Sequence, residues 1–245
     1  MMLSWFLLFP VFAETPNASE LEQVLRQTNI YRNHRIALNL PNIPSEIYHT
    51  LSVGEVVTGL EEVDGSSAKI GWGIGIFPLP IEQMFAAIND EEYHVELSPV
   101  DATIVTAGKP CTDGRSVFMH LPVPMFDDRW WITTHRTNPN IRKVSSGKMA
   151  ELSWSAIPNP SLDQLPPQIL KFVEQSVKIT KSTGAWLLIK VDETHTLGEY
   201  HSWSDPGGYI PAGVASSLGA RGIEKNFFTM MTYAQNEKIQ CQYSW

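Results

Sequence analysis

The chain has 245 residues, 43% apolar, 10% aromatic and 18% charged, an ordinary globular composition with enough apolar material for a sizeable core. Its formal net charge of −8, with 18 scattered basic residues, argues against a nucleic-acid partner, whose phosphates need clustered Lys and Arg. No G-x-S-x-G elbow, G-x-x-x-x-G-K loop or H-E-x-x-H pair occurs, so the common hydrolase, nucleotide and zinc-protease signatures are absent.

The apolar run from Met1 to Ala13 has signal-peptide length, with the small residues Val11 and Ala13 ahead of Glu14, and is too short to span a bilayer. Residues 1–13 are therefore expected to be removed, and the mature chain to be a soluble exported protein, periplasmic or secreted. Cys111 and Cys241 would permit one disulfide in that compartment, but their sequence separation does not decide pairing, and two free thiols are expected.

Ser19 to Leu38 carries Leu21, Val24, Leu25, Ile30 and Ile36 at helical spacing, with Ser19 as cap, and with its linker makes an N-terminal unit over 14–45. Pro41 and Pro44 end it, and β-branched and aromatic residues predict a first strand between Glu46 and Gly59. Ala68 to Pro78 reads as a second strand in which Gly71, Gly73 and Gly75 alternate with Trp72, Ile74 and Ile76, leaving one face open to close approach. Ile81, Met84, Phe85 and Ile88 then form one stripe of a short helix ending at Asn89-Asp90.

Strands follow at Val95 to Val105, Arg115 to Val123, Trp130 to Arg136 and Lys148 to Ile157, joined by polar turns as an antiparallel meander. Spacing favours a helix over Gln168 to Val177, followed by strands at Gly184 to Val191 and Leu197 to Ser204. Asp205-Pro206-Gly207-Gly208 stops the last strand, and Pro211 suits the first turn of a final helix over Ala212 to Ala234, whose stripe Arg221-Gly222 interrupts. Helices segregated from an antiparallel sheet make the fold class α+β.

Chemistry-bearing patterns are few. The seven histidines lack metal-ligand spacing; Glu193, His195, Glu199 and His201 could converge on an ion, but a solvated hairpin tip is the simpler expectation, and no metal or cofactor is expected. Trp130, Trp131, Trp154, Trp186 and Trp203 all fall in strands, as core or as cavity wall. Met119, His120 and Met125 flank a run facing the last helix, and Arg129 beside Asp127 and Asp128 is expected to form a loop salt bridge.

Four stretches together resemble the START domains, the lipid-transfer domains related to steroidogenic acute regulatory protein, within the helix-grip superfamily that includes the birch-pollen allergens. They are the helix from Pro80 to Ile88, Leu121-Pro122-Val123-Pro124 leading into Asp127-Asp128-Arg129-Trp130, the pair from Gly184-Ala185-Trp186 to Tyr200, and Asp205 to Pro211 before the last helix. The similarity covers Gly54 to Ala234 and implies a domain over 46–236 with a tail at 237–245. Its implied fold is a curved antiparallel sheet wrapped around a long C-terminal helix, enclosing a hydrophobic cavity for one sterol, phospholipid or related amphiphile.

On that resemblance the ligand-facing set is Met119, Trp131, Trp154, Trp186, Tyr200, Trp203, Val214, Leu218 and Phe227, with Arg129, His120 and Glu199 as rim or buried polar groups. No catalysis is required; a monomer that touches membranes transiently is expected, with Gly207-Gly208 as hinge of the last helix. The alternative on the same superfold is a cyclase or aromatase in which His120, Glu199 or Tyr200 serves as acid or base.

Overall fold

The computed structural model describes residues 15–37, 45–64, 68–91, 95, 99–163, 165–208, 212–235 and 239–243, with backbone alone for 45 and 212–221. The expected signal peptide lies outside the described residues, as do Tyr209, Ile210 and Pro211.

Helix α1 (Ala18–Thr28) begins at Asn17 rather than Ser19. The Asn17 side chain accepts from the Ser19 and Glu20 amides while Glu20 accepts the Asn17 amide, a capping box. The helix tightens into a 3₁₀ turn over Asn29–His34, short of Leu38, where the Thr28 hydroxyl has bonded back to the Val24 carbonyl at 2.8 Å. A second 3₁₀ turn (Ser45–Ile47) runs into α2 (Tyr48–Ser52), so the first half of the expected strand is helical. Ile47, Tyr48 and Leu51 share one helical side and bury it against Leu21 and Leu25, and this packing overrides their strand propensity.

Strands β1 (Val57–Glu61), β2 (Ile70–Phe77), β3 (Ala102–Ala107), β4 (Arg115–Leu121), β5 (Arg129–Thr137), β6 (Met149–Ala156), β7 (Val177–Lys178), β8 (Lys181–Lys190) and β9 (Thr196–Asp205) form one sheet. Its order is β1-β2-β9-β8-β6-β5-β4-β3 with every neighbour antiparallel, and β7 adds a two-residue parallel pairing to β5 that the sequence did not announce. Helix α3 (Ile81–Ile88) follows β2, and α5 (Pro167–Gln175) precedes β7 as the spacing predicts. The expected turn after β5 contains α4 (Pro139–Val144), with Pro139 in its first turn and the Asn138 side chain accepting from the Ile141 amide.

Residues directly opposite one another in an antiparallel pair share a face. Trp72, Ile74, Leu187, Ile189, Leu197 and Met149 point to the convex face, where α1, α2 and Ile141 of α4 cover them. Phe118, Trp130 and Ile132 share that face and lie under Leu165 and Ile169. The concave face carries Phe77, Ala150, Leu152, Trp186 and Leu188, packed against α3 and against Ile223, Phe227 and Met230 of α6 (Ala212–Ala234).

The alternating glycines of β2 seat α6. A Cβ on Gly73 would stand 2.5 Å from Ile223 Cγ2 and 2.9 Å from the Phe227 ring, and one on Gly71 would stand 2.6 Å from Ile223 Cδ1. Gly73→Val is therefore expected to push α6 from the sheet and cost about 1–3 kcal/mol of overpacking, read as a lower urea midpoint. Gly222 does not break α6; its missing side chain faces open space, with nothing within 4 Å of a built Cβ.

The expectation of free thiols is overturned: Cys111 and Cys241 form a disulfide. The chain beyond α6 returns past α3, where the Gln240 amide donates to Asp90, the Tyr243 hydroxyl donates to the Cys111 carbonyl at 2.7 Å and the Tyr243 ring stands edge-on to Phe85. These contacts bring the two sulfurs together across 130 residues of chain.

On the convex face the chain after α1 is latched by charge. Glu199 of β9 takes a two-pronged ion pair from Arg32, and Glu151 of β6 accepts from Arg35, Asn138 and the Ile36 and Ala37 amides. His201 is buried beside this cluster with its Nδ1 unpartnered; burial first and Arg35 second push it down to about 3. Because an unfolded histidine titrates near 6.5, the folded state holds fewer protons between these values. Stability is thus fully present above pH 6.5 and falls as pH drops toward 3, by up to about 1.4 kcal/mol per unit. Urea titrations at pH 7, 6 and 5 are expected to show this slope, and to lose the His201 share of it in His201→Gln.

Candidate ligand-binding site

The concave face beyond α6 is a row of aromatic side chains. The register sets Trp186 opposite Tyr200 and opposite Leu152, His135 opposite Trp154, and Met119 opposite Trp131, so all seven face the same way. Ring centroids step from His135 to Trp154 at 6.4 Å, to Tyr200 at 5.8 Å, to Trp186 at 4.8 Å and to Phe227 at 4.9 Å, with Phe77 stacked on Phe227 at 5.4 Å. Offset and tilted pairs of this kind are the arrangements that aromatic rings favour.

Tyr200 stands in the middle of this row. Protein surrounds the phenol closely enough that burial raises its pKa, yet part of the residue's surface remains uncovered, as does part of Trp154 and Trp131. A second apolar cluster on the same face, Val100, Val117 and Met119 with Val105 and Trp131, is separate from the core formed with α6. The described side chains of α6 pack over β2 and α3, while the concave positions of β3–β5 combine Val105, Val117, Met119 and Trp131 with Thr103, Thr133, Arg115 and His135.

Polar groups close one end. Arg115 of β4, fully buried, pairs through Nε with Glu91 just after α3, donates to the Thr112 and Asn89 carbonyls and reaches His135 Nδ1 at 3.5 Å. Burial raises the Glu91 carboxyl pKa and Arg115 offsets part of that rise. Thr103 of β3, opposite Met119, has a buried hydroxyl oxygen with no hydrogen-bond partner among the described residues. The wall is therefore aromatic and aliphatic, with a charged end already satisfied and one idle hydroxyl.

Met119, Trp131, Trp154, Trp186, Tyr200 and Phe227 stand together on this face. Trp203, Glu199 and His120 do not: strand alternation puts all three on the convex side, where Trp203 donates to the Ala68 carbonyl, Glu199 pairs with Arg32, and His120 meets Asp101 and Ser176. Arg129 forms no carboxylate pair with its neighbours. It donates instead to the backbone carbonyls of Asp127, Asp128, Pro206 and Gly207, clamping the start of β5 to the turn before α6. The side chains of Val214 and Leu218 lie outside the described residues. Arg115, Glu91 and Thr103 escaped the sequence because nothing local marks a strand arginine or threonine as inward-facing.

No protein-family model matches this sequence, and no curated protein does. Solved structures match it well. A STAR-related lipid transfer protein from Xanthomonas axonopodis is similar over 74% of this chain and 94% of its own, at TM-score 0.59 and 17% identity. The fold is that of the START domains. Human STARD10 is similar over 92% of this chain and 82% of its own, at TM-score 0.60 and 16% identity, and human StAR-related lipid transfer protein 5 over 89% and 96%, at 0.60 and 13%. Among the described residues no helix is long and apolar enough to cross a membrane. In this START fold the turn into α6 is built on two glycines with positive φ, Gly207 at 58° and Gly208 at 60°, a conformation that other residues adopt with strain.

Proposed function

We propose that the protein binds and carries one amphiphile, of the sterol or phospholipid class, between the concave face and α6, without chemistry in that space. The observation that supports this most is the enclosed yet incompletely covered row of Tyr200, Trp154 and Trp131 beside a separate apolar cluster. Apolar walls with a few convergent polar groups are what a small hydrophobic ligand requires. Met119, Trp131, Trp154, Trp186, Tyr200 and Phe227 contact its apolar body, and the Thr103 hydroxyl offers its polar group a partner.

The Xanthomonas axonopodis protein and human StAR-related lipid transfer protein 5 are lipid transfer proteins by description, which agrees with this reading. The cyclase alternative has less support, since two of its three candidates, His120 and Glu199, lie on the convex face and only Tyr200 stands on the concave one. The disulfide supports an oxidising compartment for this carrier. Native mass spectrometry of gently purified protein, followed by lipid extraction, is expected to show one amphiphile per chain; protein that is repeatedly empty, and that takes up no sterol or phospholipid from vesicles, contradicts the proposal.

A further inference from the structure

A hydroxyl, an imidazole and a carboxylate line up on the convex face, away from the cavity. His120 projects from β4 with its ring against Phe172 of α5, centroids 4.3 Å apart, and its side chain is almost wholly buried. Its Nδ1 stands 2.5 Å from Asp101 Oδ1, and its Nε2 stands 2.9 Å from Ser176 Oγ. An ionised Asp101 can only accept, so it fixes the tautomer with the proton on Nδ1 and leaves the Nε2 lone pair to receive the Ser176 hydroxyl proton.

Three separate segments supply the trio: the residue before β3, the end of β4 beside that edge strand, and the residue that ends α5. Ser176 has extended backbone, φ −130° and ψ 159°, and is half-buried. Among the described residues one other carboxylate faces the imidazole: Asp128 Oδ2 lies 3.8 Å from Nε2, while its Oδ1 accepts the Val123 amide. No sequence motif flags the set, and such constellations are recognised by geometry and role, not by motif or fold.

We propose that Ser176, His120 and Asp101 are a nucleophile triad that takes acyl groups from carboxylic esters at the protein surface. Ser176 Oγ bonds to the ester carbonyl carbon as its proton passes to His120 Nε2. The carbon–oxygen bond to the alcohol then breaks, and the alcohol leaves with that proton. Water adds to the acyl-serine, giving a proton to Nε2; the acyl–Oγ bond breaks, Oγ regains a proton from Nε2, and a carboxylic acid is released. Asp101 touches no substrate and is a positioning residue, holding the imidazole tautomer and ring orientation. This activity is independent of the cavity and of its contents.

The test is covalent labelling of the full chain by a fluorophosphonate, followed by intact mass and peptide mapping, with p-nitrophenyl acetate turnover in parallel. The expected result is one phosphonyl group per chain on Ser176, none in Ser176→Ala, and labelling slowed about a hundredfold in Asp101→Asn with its thermal midpoint unchanged. Asp101 is about half exposed, its side chain 45% accessible, so that substitution leaves the fold standing. No adduct on Ser176 of the folded wild-type chain, or equal labelling of the wild type and Asp101→Asn, overturns the proposal.

Discussion

Replacing Arg115 by Met is expected to lower the unfolding free energy by about 3–5 kcal/mol, the usual cost of leaving one member of a buried ion pair alone. Arg115 is fully buried on the concave face and Glu91 nearly so, with Asn89, Thr112 and His135 completing the cluster. Without the guanidinium, the Glu91 carboxylate keeps the desolvation penalty that already raises its pKa and loses the interaction that offsets it. The double variant Glu91→Leu, Arg115→Met removes the stranded charge and is expected to recover most of the loss. Urea unfolding at pH 7 distinguishes the two, and equal destabilisation by single and double variants contradicts this account of the pair.

Removing the disulfide in Cys111→Ala, Cys241→Ala is expected to cost about 3–5 kcal/mol, because the link spans 130 residues and its loss frees a large loop in the unfolded chain. The loss is also local. Gln240 and Tyr243 lie on α3 and on the β3–β4 connection through contacts that the disulfide holds in register. Amide exchange over residues 239–243 is expected to rise well before that of β8 and β9. Unchanged thermal stability with unchanged exchange in the tail would show that packing alone secures the chain end.

Much of the fold could be read from residues. The glycine alternation of β2 announced a close approach, and Ile223 and Phe227 occupy it; the Asp-Pro-Gly-Gly stop and the stripe of α3 also fall where expected. Residues 45–52 could not be read, since Ile47, Tyr48 and Leu51 favour strands locally and become helical through contact with α1, a segment distant in sequence. Alternation along β9 told which residues share a face but not which face turns inward. Both faces are covered, and Leu197, Glu199, His201 and Trp203 mix apolar and polar residues as freely as Thr196, Gly198, Tyr200 and Ser202. Tyr200 shares the face of Trp186, while Glu199, buried against Arg32, and Trp203, bonded to the Ala68 carbonyl, lie on the other.

The buried charges were hidden for a related reason. Arg115 reads as the start of a strand and Glu91 as a polar turn, and only the sheet's curvature around α3 brings them together. Cysteine pairing was equally a matter of where the chain end returns, which no local pattern encodes.

Photo-crosslinking tests the central claim most directly. A sterol and a phospholipid, each carrying a diazirine in the apolar body, are equilibrated with the full chain, irradiated and mapped by peptide mass. The account predicts one probe per chain, attached within β4, β5, β6 and β9 at positions sharing the face of Met119, Trp131, Trp154 and Tyr200, and displaced by unlabelled lipid. Adducts confined to α1, α2 or α5 on the convex face, or no displaceable adduct with either probe, would contradict it.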